Sequence, residues 1–381
     1  GMPVLIAFIA LGMVFGSDGI LKIPFENYSF AEQICSVALV FIMFYGGFGT
    51  KLSEAKPVAV KALLLSSVGV IFTAALTTVF CFFVLKIKLL ESMLIGAVMS
   101  STDAASVFSV LRSKNLNLKY NTASMLEMES GSNDPFAYML TVIVLSFMKG
   151  ENSVGQMVYS IAAQIGFGVL IGFLIALGAV WFMKHFTFNT SGFDAAFVLG
   201  VAVLAYALPT LVGGNGYLSA YIVGIVLGNQ NIHNKKSLVH FFDGMTGLMQ
   251  MLIFFLLGLL SFPSKILTVL LPSIFIALFI TFVARPLAVA TVLAPFKTKI
   301  SQYLVVSWAG LRGAASIVFA IMAMVGGVTM EQDVFHIAFC VVLFSITLQG
   351  SLLPFVASKT NMIDKTGSVL KTFNDYSDET E

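Results

Sequence analysis

The sequence predicts an all-α polytopic membrane protein, and three observations lead to this fold class. Of its 381 residues, 58% are hydrophobic and 10% are charged, whereas soluble domains carry about 25% charged residues. Long apolar segments recur along the chain and are separated by short polar loops, which is the pattern of membrane-spanning helices. Two of these segments place small residues and a single charge at similar depth, which is typical of interrupted, crossing helices in inverted repeats.

Hydropathy predicts twelve apolar segments that form one transmembrane domain, residues 1–357. The segments are roughly residues 2–16, 31–49, 58–85, 90–111, 121–148, 154–184, 193–211, 215–228, 241–261, 265–294, 301–327 and 334–357. Residues 358–381 form a polar tail that ends in acidic residues. The first segment is short and follows Gly1 rather than a usual start residue, so we expect that a first helix precedes this chain.

The distribution of basic residues predicts the orientation of the chain. Fourteen of the 21 Lys and Arg residues fall on the side of the tail, five fall on the other side, and Arg285 and Arg312 lie inside segments. Since cytoplasmic loops carry the excess of basic residues, the tail is expected in the cytoplasm. The net charge of +2 gives no reason to expect a nucleic-acid partner. The three cysteines, which lack metal-like spacing, are predicted to be packing residues.

The fourth and eleventh segments carry an internal repeat. Residues 96–106 include Asp103 among small residues, and residues 307–316 include Arg312 in a similar setting. The two segments are seven apart in the series and therefore cross the membrane in opposite directions. This arrangement predicts two interrupted helices whose ends face a shared site near the middle of the membrane. Close helix packing through small residues is the alternative interpretation.

The fifth segment, residues 121–148, carries the charges that we place at the centre of the function. With a rise of about 1.5 Å per residue, Asp134 lies about 20 Å beyond Asn121, near the middle of a hydrocarbon slab about 30 Å thick. A carboxylate at that depth costs about 2.5–3.5 kcal/mol on insertion scales, so a functional role is the default interpretation. A purely structural polar cluster is the alternative.

Oxygen atoms are predicted to surround Asp134. Ser130 lies four residues before it and shares its helix face, and Pro135 frees a backbone carbonyl one turn earlier. Carboxylate, hydroxyl, amide and carbonyl oxygens are suited to a small hydrated cation. The predicted cation- and proton-binding residues are Asp134, Asn133, Ser130, Thr102 and Asp103.

Arg312 must be paired, because a guanidinium stays charged at membrane depth. We predict a structural ion pair between Glu129 and Arg312 that ties the fifth segment to the eleventh. This role removes Glu129 from the free proton carriers. Asp243 lies near a segment end and is predicted to be interfacial.

The residues leave other classes of function open. A cation channel would need a continuous polar pore, and we find no carbonyl-ring filter sequence. An intramembrane hydrolase could use Ser130 or Ser132, but no His lies at comparable depth within a segment to act as a base. A transporter of a small organic ion also fits inverted repeats, although the acidic centre disfavours an anion. We therefore do not predict an enzyme.

Three linked motifs occur in order along the chain, namely Thr102-Asp103, Glu129-Ser130-x-x-Asn133-Asp134-Pro135 and Gly310-Leu311-Arg312-Gly313. Together they resemble the bacterial monovalent cation:proton antiporters of the electroneutral, NhaP-like branch. Details around residues 18–19, 46–47 and 100–101 resemble the potassium/proton subgroup. The resemblance covers nearly the whole chain.

The resemblance implies the inverted-repeat antiporter fold, with thirteen helices of which the first is absent here, and a homodimer in the bacterial plasma membrane. It implies a mobile core around residues 58–184 and 265–357 and a dimerisation part around residues 1–49 and 193–261. It also implies that no cofactor is needed besides the transported K⁺ or Na⁺ and H⁺. Members of the subgroup often continue into a cytoplasmic regulatory domain, which this chain would lack.

For the site, the resemblance implies that Asp134 binds either a monovalent cation or a proton. Ser130 and Thr102 would complete the cation site, with solvent-linked Asp103 beside them. Asn133 stands where the electrogenic branch has a second Asp, so we expect electroneutral 1:1 exchange by competition at Asp134. One departure concerns ion preference, because Tyr45 stands where relatives commonly have an acidic residue and a basic residue that often follows it is replaced by glycine.

Overall fold

A computed structural model of the chain describes residues 2–114, 116–150, 153–186, 192–232 and 234–364. Most of these residues are helical, which confirms the predicted all-α fold. The predicted polar tail lies outside the described residues from position 365 onward. The helices are α1 (Met2–Phe15), α2 (Tyr28–Gly49), α3 (Leu52–Ala55), α4 (Ala59–Leu64), α5 (Val70–Phe83), α6 (Leu89–Val98), α7 (Ala104–Ser113), α8 (Thr122–Met148), α9 (Val154–His185), α10 (Phe193–Leu211), α11 (Gly216–Gly228), α12 (Lys235–Leu259), α13 (Pro263–Phe279), α14 (Arg285–Leu293), α15 (Ile300–Trp308), α16 (Ala314–Val325), α17 (Val334–Phe344) and α18 (Gly350–Lys359).

The twelve predicted segments each coincide with one helix or a series of helices, with ends that differ by a few residues. Wider π-helical turns join some of the short helices into long ones, at Leu65–Gly69, Ile280–Ala284 and Ser345–Gln349. Within the described residues, seven helical stretches are long and apolar enough to cross a membrane, and shorter apolar helices accompany them. The chain is therefore an integral membrane protein.

Two helices are interrupted, as the repeat in the sequence predicts. Residues 99–103 separate α6 from α7, and residues 309–313 separate α15 from α16. The two interruptions touch, because the backbone N–H of Asp103 donates to the carbonyl oxygen of Leu311 at 2.8 Å. The π turn before α18 braces the second interruption, since Ser345 Oγ accepts from the backbone N–H of Arg312 at 2.9 Å. The broken helices thus cross inside the protein, where lipid does not reach their open backbone groups.

The helices form two groups, which we name the core (α3–α8 and α13–α18) and the panel (α1, α2 and α9–α12). Within the panel, α2 and α11 approach closely because glycines line their contact: a Cβ on Gly47 or on Gly224 would collide with the backbone of the facing helix. Such small-residue contacts are common between membrane helices. The predicted division placed residues 154–184 in the core, whereas in the structure α9 packs mainly against α10 and α11.

A small antiparallel ribbon fixes the two ends of the core to each other. It pairs β1 (Asn117–Leu118), which lies between α7 and α8, with β2 (Ile363–Asp364), which follows α18. We name this membrane face, at which α7 and α18 end and α8 begins, the tail side, and the opposite face the far side.

Candidate ion-binding site

The site lies where the interruption between α6 and α7 meets the middle of α8. Asp134 projects from α8 and is 5% exposed. The hydroxyl of Ser101 donates to its carboxylate oxygen Oδ1. Ser101 was not among the predicted ligands, because residues in an interrupted helix have no regular periodicity from which a facing direction can be read.

Asn133 and Ser130 hold the non-helical segment between α6 and α7 in place. The Asn133 amide donates to the hydroxyl of Thr102 and accepts from its backbone N–H at 3.4 Å. The Ser130 hydroxyl donates to the Thr102 carbonyl oxygen at 2.7 Å. The structure therefore brings together the predicted residues Asp134, Asn133, Ser130 and Thr102. Within this group, Asn133 and Ser130 orient Thr102.

Asp103 caps the N-terminus of α7. Its carboxylate accepts from the backbone N–H of Ser106 at 3.2 Å and from the Ser106 hydroxyl at 2.6 Å. A carboxylate at this position is favoured by the unpaired N–H groups and the positive end of the helix dipole. Asp103 faces the same cavity as Asp134, so it adds negative charge to the site while serving as a cap.

The predicted ion pair between Glu129 and Arg312 is wrong. Glu129 instead forms a bidentate ion pair with Arg285, in which Nη1 lies 2.5 Å from Oε1 and Nη2 lies 3.0 Å from Oε2. Both side chains are almost fully buried. The planar guanidinium needs a carboxylate that it can meet edge to edge, and α14 presents Arg285 to α8 in that way.

Arg312 uses one of its three nitrogens to bind backbone carbonyl groups, and its buried Nε and Nη2 have no hydrogen-bond partner within the described residues. Its Nη1 donates to the carbonyl oxygens of Ser100 at 3.0 Å and Ser101 at 2.5 Å. These carbonyls follow the C-terminus of α6, where the interruption leaves them without helical partners and the helix dipole favours a cation. The sequence argument assumed that an intramembrane arginine needs a carboxylate and overlooked this alternative.

A cavity of about 470 Å³ lies between the core and the panel and reaches Asp134. Its other walls come from α1, α2, α7 and α12, and the other α8 residues on its wall, Glu127, Ser130 and Gly131, all precede Asp134, so the cavity approaches Asp134 from the tail side. Among the described residues that line it, the charged ones are all acidic, and they are Asp103, Glu127, Asp134 and Asp243. A concave wall of one sign raises the local concentration of oppositely charged ions. The arrangement therefore attracts cations toward Asp134.

The panel contributes a carboxylate to the cavity wall. Asp243 was predicted to be interfacial, and the structure places it on the wall of the cavity that reaches Asp134. The hydroxyl of Tyr45 lies 3.4 Å from Asp243 Oδ1 and 3.4 Å from the carbonyl oxygen of Val239. Tyr45, the departure noted in the sequence analysis, thus contacts an acid on the neighbouring helix.

Oxygen atoms dominate the chemistry of the site. Asp134 offers a carboxylate, and Ser101 and Thr102 offer hydroxyl and carbonyl oxygens beside it. Such donors suit a hard cation, whereas imidazole and thiolate ligands suit transition metals. The same carboxylate accepts a proton, so the site can hold either a cation or H⁺.

Comparisons with known proteins agree on the family and the fold. The family model described as "Sodium/hydrogen exchanger, transmembrane" matches residues 1–359. The "K(+)/H(+) antiporter NhaP2" of Shewanella sp. (strain ANA-3) is 37% identical over 364 residues, which are 94% of this chain and 62% of the relative. The "K(+)/H(+) antiporter NhaP" of Alkalimonas amylolytica is 35% identical over 354 residues, which are 92% of this chain and 61% of the relative.

Solved structures give the fold. The sodium proton antiporter MjNhaP1 from Methanocaldococcus jannaschii, solved at pH 8, matches with a TM-score of 0.82 at 23% identity, and the match covers 93% of this chain and 92% of that one. This confirms the predicted inverted-repeat fold with two interrupted, crossing helices. The chain spans about three-fifths of the length of the two antiporters from Shewanella and Alkalimonas.

Proposed function

Because the chain belongs to the sodium/hydrogen exchanger family, we propose that it is a secondary antiporter that exchanges a monovalent cation for H⁺. The observation that carries this proposal is the position of Asp134, buried at the crossing of the broken helices and facing a cavity whose charged wall residues are acidic. The family is one of transporters rather than enzymes. Two relatives at 35–37% identity bear the name K(+)/H(+) antiporter, so we propose K⁺ as the first cation to test and Na⁺ as the second.

The proposed mechanism needs competition at one carboxylate. A cation or a proton neutralises Asp134, after which the core shifts relative to the panel and exposes Asp134 to the far side. The core rarely shifts while Asp134 is charged and has no ion bound, because an unpaired carboxylate has a high free energy in a low-dielectric environment. This cost couples the movement of the cation to that of the proton.

The proposed stoichiometry is one proton for one cation, without net movement of charge. Asn133 does not titrate, and its amide is already engaged by Thr102. Asp103 is engaged as the cap of α7. Asp134 is then the one carboxylate at the crossing whose charge changes in each cycle.

We also propose a setting for the molecule. The bias of basic residues supports a cytoplasmic tail side in a bacterial plasma membrane, so that the cavity faces the cytoplasm in this structure. The resemblance supports a homodimer formed through the panel. No group other than the transported ions is required by the chemistry proposed.

The test uses purified protein in liposomes that contain a pH dye and have an acidified lumen. K⁺ or Na⁺ is added outside, with and without a membrane voltage imposed by a lipophilic ion. We expect cation-driven alkalinisation of the lumen at a rate that does not change with voltage. Flux that follows voltage and ignores the pH gradient would indicate a cation channel, and no response to either cation would favour a transporter of a small organic ion.

Gly313→Ala is expected to slow exchange about tenfold or more. A Cβ at position 313 would collide with the carboxylate of Asp103, which must then leave its place at the N-terminus of α7, and a displacement of about 1 Å near a reacting centre can cost about 100-fold. The measurement is the initial rate of cation-driven proton movement in the same liposomes. Gly247→Ala is the matched control, because it also lies on the cavity wall but has open space around a new Cβ. Equal rates for the two variants would contradict the assigned role of Asp103.

A further inference from the structure

Three tyrosines lie on the far side of Asp134, along the contact between core and panel. Tyr138 lies one helical turn beyond Asp134 on α8. Its ring meets that of Tyr217 on α11 edge to face, with centroids 5.0 Å apart. Tyr217 in turn contacts Tyr206 on α10, also at 5.0 Å. The rings of these three tyrosines therefore form a row that leads from Asp134 toward the far side. None of the three lines the tail-side cavity.

This line of polar groups ends at an acidic residue, Glu32. Tyr217 lies close to Tyr206 and to Ser36, because α11 packs against α10 and α2. The Ser36 hydroxyl donates to Glu32 Oε1 at 2.8 Å. Glu32 is four residues from the start of α2, or about 6 Å below its far-side end. We name Tyr138, Tyr217, Tyr206, Ser36 and Glu32 the tyrosine seam.

The contact beside the seam is closed in this structure. The Asn215 side chain of the panel donates to the carbonyl oxygen of Pro135 at 2.8 Å, directly after Asp134 in the core. One turn further toward the far side, the rings of Tyr138 in the core and Tyr217 in the panel are in contact. Core and panel therefore touch on the far side of Asp134, whereas on its tail side they are separated by the cavity.

We propose that the tyrosine seam is the far-side passage in its closed state, and that Glu32 is the residue that draws the cation into it. This inference rests on the proposed antiport function and names a residue for one half of its cycle. Hydroxyl oxygens replace part of the hydration shell of a cation, and a carboxylate near the membrane surface attracts it.

Two acids of the panel then serve opposite faces of the membrane. Asp243 lies on the tail-side cavity, and Glu32 lies at the far-side end of the seam. Neither belongs to the core that carries Asp134. A cation bound at Asp134 therefore leaves one panel acid and meets the other when the core shifts, so each acid affects binding from one side of the membrane.

The test measures cation affinity from each side separately. Wild-type protein and Glu32→Gln are expressed in cells that lack other antiporters, and exchange is followed with a pH dye in right-side-out and in everted vesicles. In the vesicles that expose the far side, Glu32→Gln is expected to raise the KM for the cation by roughly three- to tenfold, because a focused charge changes the local ion concentration by such factors. In the vesicles of opposite orientation, the KM for the cation should stay within about twofold of wild type, because the charge of Glu32 changes the ion concentration only near the far side.

Three further variants make the result decisive. Glu26→Gln removes an exposed acid near the same end of α2 and should change neither KM. Glu32→Asp keeps the charge and should restore most of the far-side affinity, which also covers the case in which Glu32→Gln folds poorly. Asp243→Asn should show the reverse sidedness. Wild-type exchange with an unchanged far-side KM in Glu32→Gln would overturn this inference and leave the antiport function standing, whereas absence of wild-type exchange would overturn the antiport function itself.

Discussion

Asp134→Asn is expected to abolish cation-driven proton exchange while leaving the fold intact. The amide is nearly isosteric with the carboxylate, and its oxygen can still accept from Ser101, which donates to Asp134 Oδ1 in the structure. The variant has neither the charge that binds a cation nor a group that carries a proton. Removing one partner of a buried charge interaction costs about 3–5 kcal/mol, so the rate should fall by about 100-fold or more.

The measurement is the initial rate of alkalinisation in liposomes reconstituted with equal amounts of folded protein. Ser132→Ala is the matched control, because Ser132 is buried two residues away on α8 and its hydroxyl donates to the Met128 carbonyl oxygen of the same helix. We expect the control to keep most of the wild-type rate. An Asp134→Asn variant that retained more than about a tenth of the rate, a deficit of less than about 1.4 kcal/mol, would contradict the role given to this carboxylate.

Breaking the buried pair between Glu129 and Arg285 is expected to produce the largest loss of stability. Arg285→Gln leaves the Glu129 carboxylate, which is 1% exposed, without its cation, and an uncompensated buried charge of this kind costs about 3–5 kcal/mol. The double variant Glu129→Gln/Arg285→Gln removes both charges and lets two amides bond to each other. It should therefore recover most of the loss.

Thermal unfolding in detergent provides the measurement, and a second cycle provides the control. Combining Glu129→Gln with Arg312→Gln should give no comparable recovery, because Arg312 donates to the carbonyl oxygens of Ser100 and Ser101 rather than to Glu129. Its loss leaves two carbonyls unsatisfied whatever stands at position 129. Strong coupling of Glu129 to Arg312 and none to Arg285 would contradict the pairing seen here.

The membrane-spanning segments could be predicted from the sequence, because the thickness of the bilayer sets the length of the apolar segments that cross it. Every predicted segment has its helical counterpart, and both interruptions occur where the repeat indicated them. The interruption beside Asp103 lacks glycine and proline. The reason it nonetheless forms lies elsewhere in the chain, since Arg312 binds the carbonyls that the interruption exposes.

Contacts between helices were predicted less well, and the failures share a physical cause. The arginine that meets Glu129 is chosen by the rotation and depth of α14 against α8, which hydropathy does not encode. Hydropathy likewise does not show that the helix face carrying Asp243 lines the cavity. The panel position of α9 depends on close approaches at glycines such as Gly168 and Gly172 to α11, and those also look like ordinary packing in the sequence.

The grouping at the crossing was predictable for a different reason. Asn133 and Asp134 are adjacent on one helix, and Ser130 is within one turn of both, so their proximity follows from helix geometry alone. Their meeting with Thr102 and Asp103 required the two-helix crossing, which the inverted repeat implied. The contact of Ser101 with Asp134 was not predicted, because the direction of the Ser101 side chain depends on the irregular backbone of the interruption.

The central claim is that a cation and a proton compete for Asp134, and one measurement tests it most directly. Purified protein in weakly buffered detergent solution is titrated with K⁺ or Na⁺ at a pH at which the site is protonated, while bound cation and released protons are counted together. The account predicts about one proton released for each cation bound, as competition at a single carboxylate requires, and neither event in Asp134→Asn. Cation binding without proton release, or equal proton release from Asp134→Asn, would contradict it.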